Sequence, residues 1–405
     1  MSTDFGNVKR CVQLQLYQSF KIHLRCAQLL FVAPCSFEQE RSSVTYFKQA
    51  RFLVTAGILV WITMCGYQTI VKFFELPMPF FTAVLYVNEA VLCLFITIHT
   101  MSRGYSETQR YKQYFETMFI VASALPCAEW VAILAYARRK LLWLCTALIS
   151  IYSVVLCFDY LHFGSILATL FSLGAYLLPN ILASIALAQY YLGTVLIYMM
   201  QQKINQQLKA GKCSSLNLEE AKHLYLHLDR CVELITRSFE VTIVTNVFAG
   251  INVTSLQVLE IYQHLHVGEW KPIYMAYNMF WIVMQICMLL MVLYPNEIIK
   301  REQTHFGMIL FELSNQNDAE LSEVQVWLKC KCCKNALTLS LLNFPLTSYQ
   351  MARLELLTLD RKKSIFVALM SFMIILIQFD EANLNKYKGA VTAIDSLYNA
   401  NTMRR

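Results

Sequence analysis

Seven stretches of this chain are apolar over the length needed to cross a bilayer: residues 52–74, 78–101, 139–162, 165–200, 238–264, 272–297 and 363–382. A spanning helix needs about 20 mostly apolar residues. Charged residues fall mainly between these runs and do not alternate through them. That pattern predicts long α-helices and argues against a β-barrel, whose strands read as alternating segments of about ten residues. The fourth run is too long for the bilayer alone, so its helix is expected to continue into the cytosol. An eighth stretch, 118–137, carries Pro126 and Glu129 near its middle and reads as a cytosolic or interfacial helix.

Composition agrees with this pattern. The 405 residues are 57% hydrophobic and only 15% charged, against about a quarter charged in soluble domains, and mean hydropathy is +0.44. With 12 glycines and 8 prolines, long uninterrupted helices are expected. Of the 14 cysteines, Cys65, Cys93, Cys145, Cys157 and Cys287 sit inside apolar runs. There they behave as small hydrophobes and imply no disulfide framework. The short apolar stretch 26–36 follows Lys9, Arg10, Lys21 and Arg25; so long a basic lead favours a cytosolic amphipathic leader over a signal peptide.

The net charge of +7 is a topology signal. Counting those at span margins, seven Lys and Arg precede span 1, and six, six and nine follow spans 2, 4 and 6; the opposite set of segments holds five, and Lys72 at the outer end of span 1 completes the 34. The positive-inside rule then puts the N-terminus in the cytosol and the C-terminus outside. The expected organisation is a cytosolic segment 1–51, spans 1–4 over 52–201 with a cytosolic loop 102–138, and a cytosolic helical extension 202–237. Spans 5 and 6 follow over 238–297, then a cytosolic loop 298–362, span 7 over 363–382 and an extracellular tail 383–405. A G-protein-coupled receptor would have the opposite orientation. It would also carry Asp-Arg-Tyr at the end of span 3, whereas the Asp-Arg pairs here, Asp229-Arg230 and Asp360-Arg361, lie in predicted cytosolic segments.

The end of the last span adds a motif. Ser371-Phe372, five apolar residues Met373 to Ile377, and Gln378-Phe379 follow an approach Leu357-Thr358-Leu359-Asp360-Arg361. An inverted seven-span chain of this length resembles the insect chemoreceptor superfamily. The motif resembles the gustatory receptor signature of Thr-Tyr, five apolar residues, then Gln-Phe. Thr→Ser keeps the hydroxyl and Tyr→Phe loses one. Sugar-receptor members often carry Glu just after the Thr-Tyr pair; Met373 here favours a bitter or orphan type. The resemblance implies an all-α, tetrameric, ligand-gated, non-selective cation channel in the plasma membrane of a sensory neuron. Span 7 of each subunit would line a central pore, and the cytosolic ends of spans 4 to 7 would form the main subunit contact. It implies no enzyme, no cofactor or metal, and no nucleic-acid partner. The expected partners are a small-molecule tastant, membrane lipid, permeant cations and other copies or relatives of the chain.

Within span 7, Ser371, Ile374 or Ile375, and Gln378 share one helical stripe. Polar ends with an apolar middle suit a pore face whose constriction gates by dewetting, and an acidic mouth at Asp380 and Glu381 favours cations. With the motif residues Phe372 and Phe379, these form the candidate pore. The alternative is that Gln378 bonds a neighbouring helix and the acids mark the water interface.

A tastant should enter the outer half of the bundle. There Tyr274, Tyr277, Asn278 and Trp281 recur at i, i+3, i+4 and i+7, a stripe suited to flat apolar ligands with a few polar groups. Tyr152 and Asp159 on span 3, Tyr176 on span 4 and Glu260 on span 5 would face it. Interfacial anchoring and ordinary helix packing explain the same residues. Asn88-Glu89 sits mid-span, where a carboxylate facing lipid is costly, so it should face the interior. Pro179-Asn180 predicts a kink.

The remaining motifs are weak. Cys330-Lys331-Cys332-Cys333 lacks zinc-site spacing, and His223 and His227 lack the glutamate of a metalloprotease helix. The sequon Asn252-Val253-Thr254 lies inside span 5. Two other classes stay open: a seven-helix receptor coupling to a cytosolic partner such as a G protein, and a secondary transporter. The transporter predicts an inverted repeat that the sequence does not show.

Overall fold

The computed structural model describes residues 2–30, 32, 44–75, 80–210, 218–267 and 272–316, and these are helical almost throughout, with no strand among them. The order is α1 (Ser2–Leu29), α2 (Val44–Glu75), α3 (Phe80–Ser106), α4 (Thr108–Ala124), α5 (Cys127–Phe163), α6 (Ile166–Ser172), a π-helical turn (Leu173–Leu177), α7 (Leu178–Lys209), α8 (Leu218–Val267) and α9 (Pro272–Gln316). Among the described residues, six stretches are long and apolar enough to cross a membrane: 52–71, 82–104, 127–161, 166–209, 220–265 and 272–309. They correspond to the first six expected spans. The seventh, 363–382, lies outside the described residues.

Long helices run through several boundaries expected from hydropathy. The 50 residues of α8 unite the expected extension with span 5, and the 45 residues of α9 continue past residue 297. At 1.5 Å per residue each is roughly 70 Å long, twice a hydrocarbon core or more. The eighth stretch, by contrast, is not one helix. Leu125 is extended, as a residue before proline prefers, and Pro126 opens α5. Residues 118–124 therefore belong to α4 and 127–137 to the first turns of α5. The far end of α5 closes on Gly164 with φ +60, whose N–H bonds Tyr160 O, a left-handed stop that glycine adopts without strain.

Two regimes of packing divide the bundle. Lipid tails are as apolar as leucine, so buried area alone does not join helices in a membrane. Between the spans α7 instead offers small residues, Ala183, Ser184, Ala186 and Ala188, all buried. Gly193 continues this face; a Cβ there would strike the Ile235 side chain of α8, and Tyr114 donates to its carbonyl at 3.1 Å. Toward the end that carries most Lys and Arg (the basic end), aromatic side chains fill the contacts between helices. There Tyr111, Tyr114, Phe115 and Phe119 of α4 pack with Phe239 of α8 and Tyr190 of α7. Tyr225 of α8 stacks on Phe306 of α9 with ring centroids 4.5 Å apart. Asn205 of α7 donates to Glu302 of α9 at 2.8 Å.

The Pro179-Asn180 kink takes the form of the π-helical turn that precedes it. Asn180 Nδ2 donates to Tyr176 O at 2.8 Å and Tyr152 donates to Asn180 O at 2.9 Å. A second Pro-Asn pair, Pro295-Asn296 within α9, has the same device. Asn296 Nδ2 donates to Val292 O at 2.8 Å and Tyr190 donates to Asn296 Oδ1 at 2.6 Å. In both, an asparagine amide reaches back one turn beside the proline and a tyrosine hydroxyl from another helix bonds the asparagine.

Candidate ligand-binding site

Three carboxylates are buried in the half of the bundle opposite the basic end: Glu89 on α3, Asp159 on α5 and Glu260 on α8. Each sits on a helix that must otherwise present apolar surface, so each needs polar company inside. Glu260 receives hydroxyls from two helices: Tyr86 of α3, and Tyr274 of α9 at 2.6 Å. The His264 ring lies over Tyr274 with centroids 4.1 Å apart, and Asn278 lies beside this pair. Gln263 of α8 donates to Thr82 of α3 at 3.0 Å one turn further out. Polar bonds thus fasten α3, α8 and α9 at the mouth of the bundle.

Asp159 forms the second node. Ser172 of α6 donates to its Oδ2 at 2.7 Å, and the Tyr277 hydroxyl of α9 bonds it from the facing side. Trp281 lies edge-on to Tyr277 with centroids 6.3 Å apart and is almost fully buried. Phe158 and Phe280 meet at 5.3 Å beside them. The aromatic stripe of α9 therefore points inward and bridges both nodes. Tyr176 of the π-helical turn stands between them, within electrostatic reach of Glu89, Tyr277 and Glu260. Its hydroxyl is buried and has no hydrogen-bond partner among the described residues.

Glu89 faces inward as expected and borders a cavity lined by Leu92, Cys93, Pro179, Asn180 and Asn252. That cavity is about 10 Å³, enough for a single water. The cavity beside Glu89 is thus closed to any larger ligand. Asn88 is separated from Glu89 by the helix turn. It is exposed, against the inward placing expected for it, and its Nδ2 donates to Asn252 Oδ1 at 2.7 Å, while Asn252 Nδ2 donates to Leu85 O at 3.1 Å. The Asn252 of the apparent sequon is thereby a buried link between α3 and α8. Tyr152 lies about two turns deeper than Asp159 on α5, with its hydroxyl on Asn180 O and Ser184 Oγ. It serves the π-helical turn and also reaches Met288 Sδ of α9 at 3.8 Å, two turns below Trp281.

The candidates therefore separate. Glu89, Asp159, Tyr176, Glu260, Tyr274, Tyr277, Asn278 and Trp281 converge, whereas Asn88 and Tyr152 hold helices together beside them. Tyr86 and Asn252 join the site though nothing in their local sequence marked them, because their partners lie more than 160 positions away. The candidate pore residues Ser371, Phe372, Ile374, Ile375, Gln378, Phe379, Asp380 and Glu381 lie outside the described residues, as does the Cys330 cluster.

One buried cation stands at the basic end. Arg103, 1% exposed, places its guanidinium 3.1 Å from the Phe239 ring centroid and 5.9 Å from that of Tyr111. Its Nε donates to Ser238 O at 3.0 Å. Burial pushes the Tyr111 phenol up to about 12, the nearby guanidinium offsetting part of the shift. Tyr111 thus stays a neutral donor to Gln189 Oε1, at 3.3 Å.

Residues 20–383 match the family model described as 7tm Chemosensory receptor. A search of curated proteins gave no match.

Proposed function

The chain belongs to the 7tm chemosensory receptor family, and on that basis we propose that it is a gustatory receptor acting as a tastant-gated, non-selective cation channel. In this reading it lies in the plasma membrane with its N-terminus in the cytosol. Four subunits, identical or related, surround a pore lined by residues 363–382, with Gln378 and Phe379 at the narrow outer end and Asp380 and Glu381 at the mouth.

The observation that carries the ligand half of this reading is the convergence of Glu89, Asp159 and Glu260 with Tyr176, Tyr274, Tyr277 and Trp281 at the end opposite the basic one. Buried carboxylates beside aromatic faces suit a flat, apolar ligand that carries a protonated amine, through charge pairing and cation–π attraction. Since the cavity beside Glu89 admits one water, the ligand must select an arrangement in which α9 and α3 stand further apart. Better binding to that arrangement is what shifts the population toward an open pore. The Tyr176 hydroxyl is the group with most to gain from such a ligand.

The test is electrical. Cells expressing the chain and perfused with aromatic amine tastants should pass cation currents, and Gln378→Ala or Phe379→Ala should alter their conductance or gating. Currents identical to those of the parent chain in both variants would remove the pore assignment. The receptor coupling to a cytosolic partner would instead give responses that vanish in excised patches.

A further inference from the structure

A groove of about 740 Å³ runs between α1 and α5 at the basic end, lined by Gln15, Gln18 and Ser19 of α1 and by Arg138, Arg139 and Trp143 of α5. Both arginines are exposed, and neither has an ion-pair or hydrogen-bond partner among the described residues. Gln15 Nε2 reaches Cys127 Sγ at 3.8 Å, but its Oε1 is buried without a partner. Two unpaired guanidiniums thus line a cleft open to the surface, with the exposed Gln18 amide across from them on α1.

Depth along α5 identifies what the cleft meets. The apolar stretch 141–161 that follows the arginines is about 30 Å long at 1.5 Å per residue, one hydrocarbon thickness. Arg138 and Arg139 then stand at the level of phospholipid headgroups. Trp143, 68% exposed, and Leu142, 56% exposed, point outward one turn into the lipid, the depth at which tryptophan anchors a span. A guanidinium offers phosphate two parallel donors, and the exposed Gln18 amide can accept from a hydroxyl.

We infer that this groove binds the headgroup of an anionic, polyhydroxylated phospholipid of the phosphoinositide class. Its phosphates sit on Arg138 and Arg139, its hydroxyls on the α1 amides, and its acyl chains run past Leu142 and Trp143. The continuous apolar exit favours a lipid over a free phosphate. Occupancy would clamp α1 against α5 and couple the leader helix to the composition of the adjacent leaflet. The inference rests on α5 crossing the membrane and not on the channel reading, so binding in detergent stands or falls separately from any current.

The experiment uses the full chain purified in a neutral detergent and a fluorescent dioctanoyl phosphatidylinositol 4,5-bisphosphate. Saturable binding is expected, and Arg138→Gln with Arg139→Gln should weaken it about thirtyfold, at roughly one unit of charge attraction per arginine. Ser19→Trp, which plugs the groove from α1 and leaves both arginines in place, should also block it. Arg301→Gln, at an exposed arginine paired with Glu297, should have no effect. Unchanged affinity in the double variant and in Ser19→Trp would overturn the assignment. So would equal binding of dioctanoyl phosphatidylcholine. Displacement by inositol trisphosphate as effective as by the lipid itself would overturn the choice of a lipid over a free phosphate.

Discussion

Glu260→Ala is expected to leave a chain that folds poorly in detergent, with about 1–3 kcal/mol lost for each of the two hydroxyls, those of Tyr86 and Tyr274, left buried without their acceptor. The fastening of α3 to α9 through α8 would go with the carboxylate. Glu260→Gln separates folding from recognition. The amide oxygen still accepts a hydroxyl, so the variant should remain folded while losing most of its response to protonated aromatic amines and keeping its response to neutral analogues. Thermal aggregation in detergent reads the first effect, and dose–response curves for paired charged and neutral ligands read the second. A Glu260→Gln chain with parental responses to both classes would show that the carboxylate only braces the bundle.

Arg103→Ala is expected to be the most damaging single change at the basic end. A desolvated cation–π contact contributes about 2 kcal/mol, and a charged hydrogen bond about 1.5–3 kcal/mol. Both are made here by one side chain that joins α3 to Phe239 and Ser238 of α8 and touches Tyr111 of α4. The nearest carboxylate along the chain, Glu107, is engaged by Arg110 at 3.0 Å, so no acid stands ready to replace the ring face. Arg103→Lys keeps the charge and loses the planar stack. It should fall between the parent and the alanine variant in melting temperature. Equal melting of Arg103→Ala and the parent would mean that the clamp contributes nothing to the assembled bundle.

Particular residues show how much of this was legible in the sequence. The first six spans follow from run length, and the inward placing of Glu89 follows from the cost of a carboxylate in lipid. The α9 stripe was readable because Tyr274, Tyr277, Asn278 and Trp281 share a local period. Arg103 was counted only as a topology charge, since its partner Phe239 is more than 130 positions away and periodicity carries no such information. Asn252 was hidden inside an apparent sequon. Pro126 marks the break at Leu125-Pro126 in the sequence, but that it separates two helices depends on how α4 and α5 pack. Nothing local marks Pro295-Asn296 as a repeat of the Pro179-Asn180 device, because the tyrosines that bond the two asparagines, Tyr190 and Tyr152, come from other helices. Tyr152 illustrates the converse. Its type and position suited a pocket, but its hydroxyl is engaged by Asn180 and Ser184.

The central claim, a pore shared between subunits, is tested most directly by the mass of the particle that the full chain forms when extracted from membranes in mild detergent. A channel of this design predicts a protein mass of about four times the 46.8 kDa of one chain, retained after relipidation. A particle holding a single copy in both detergent and lipid would contradict it.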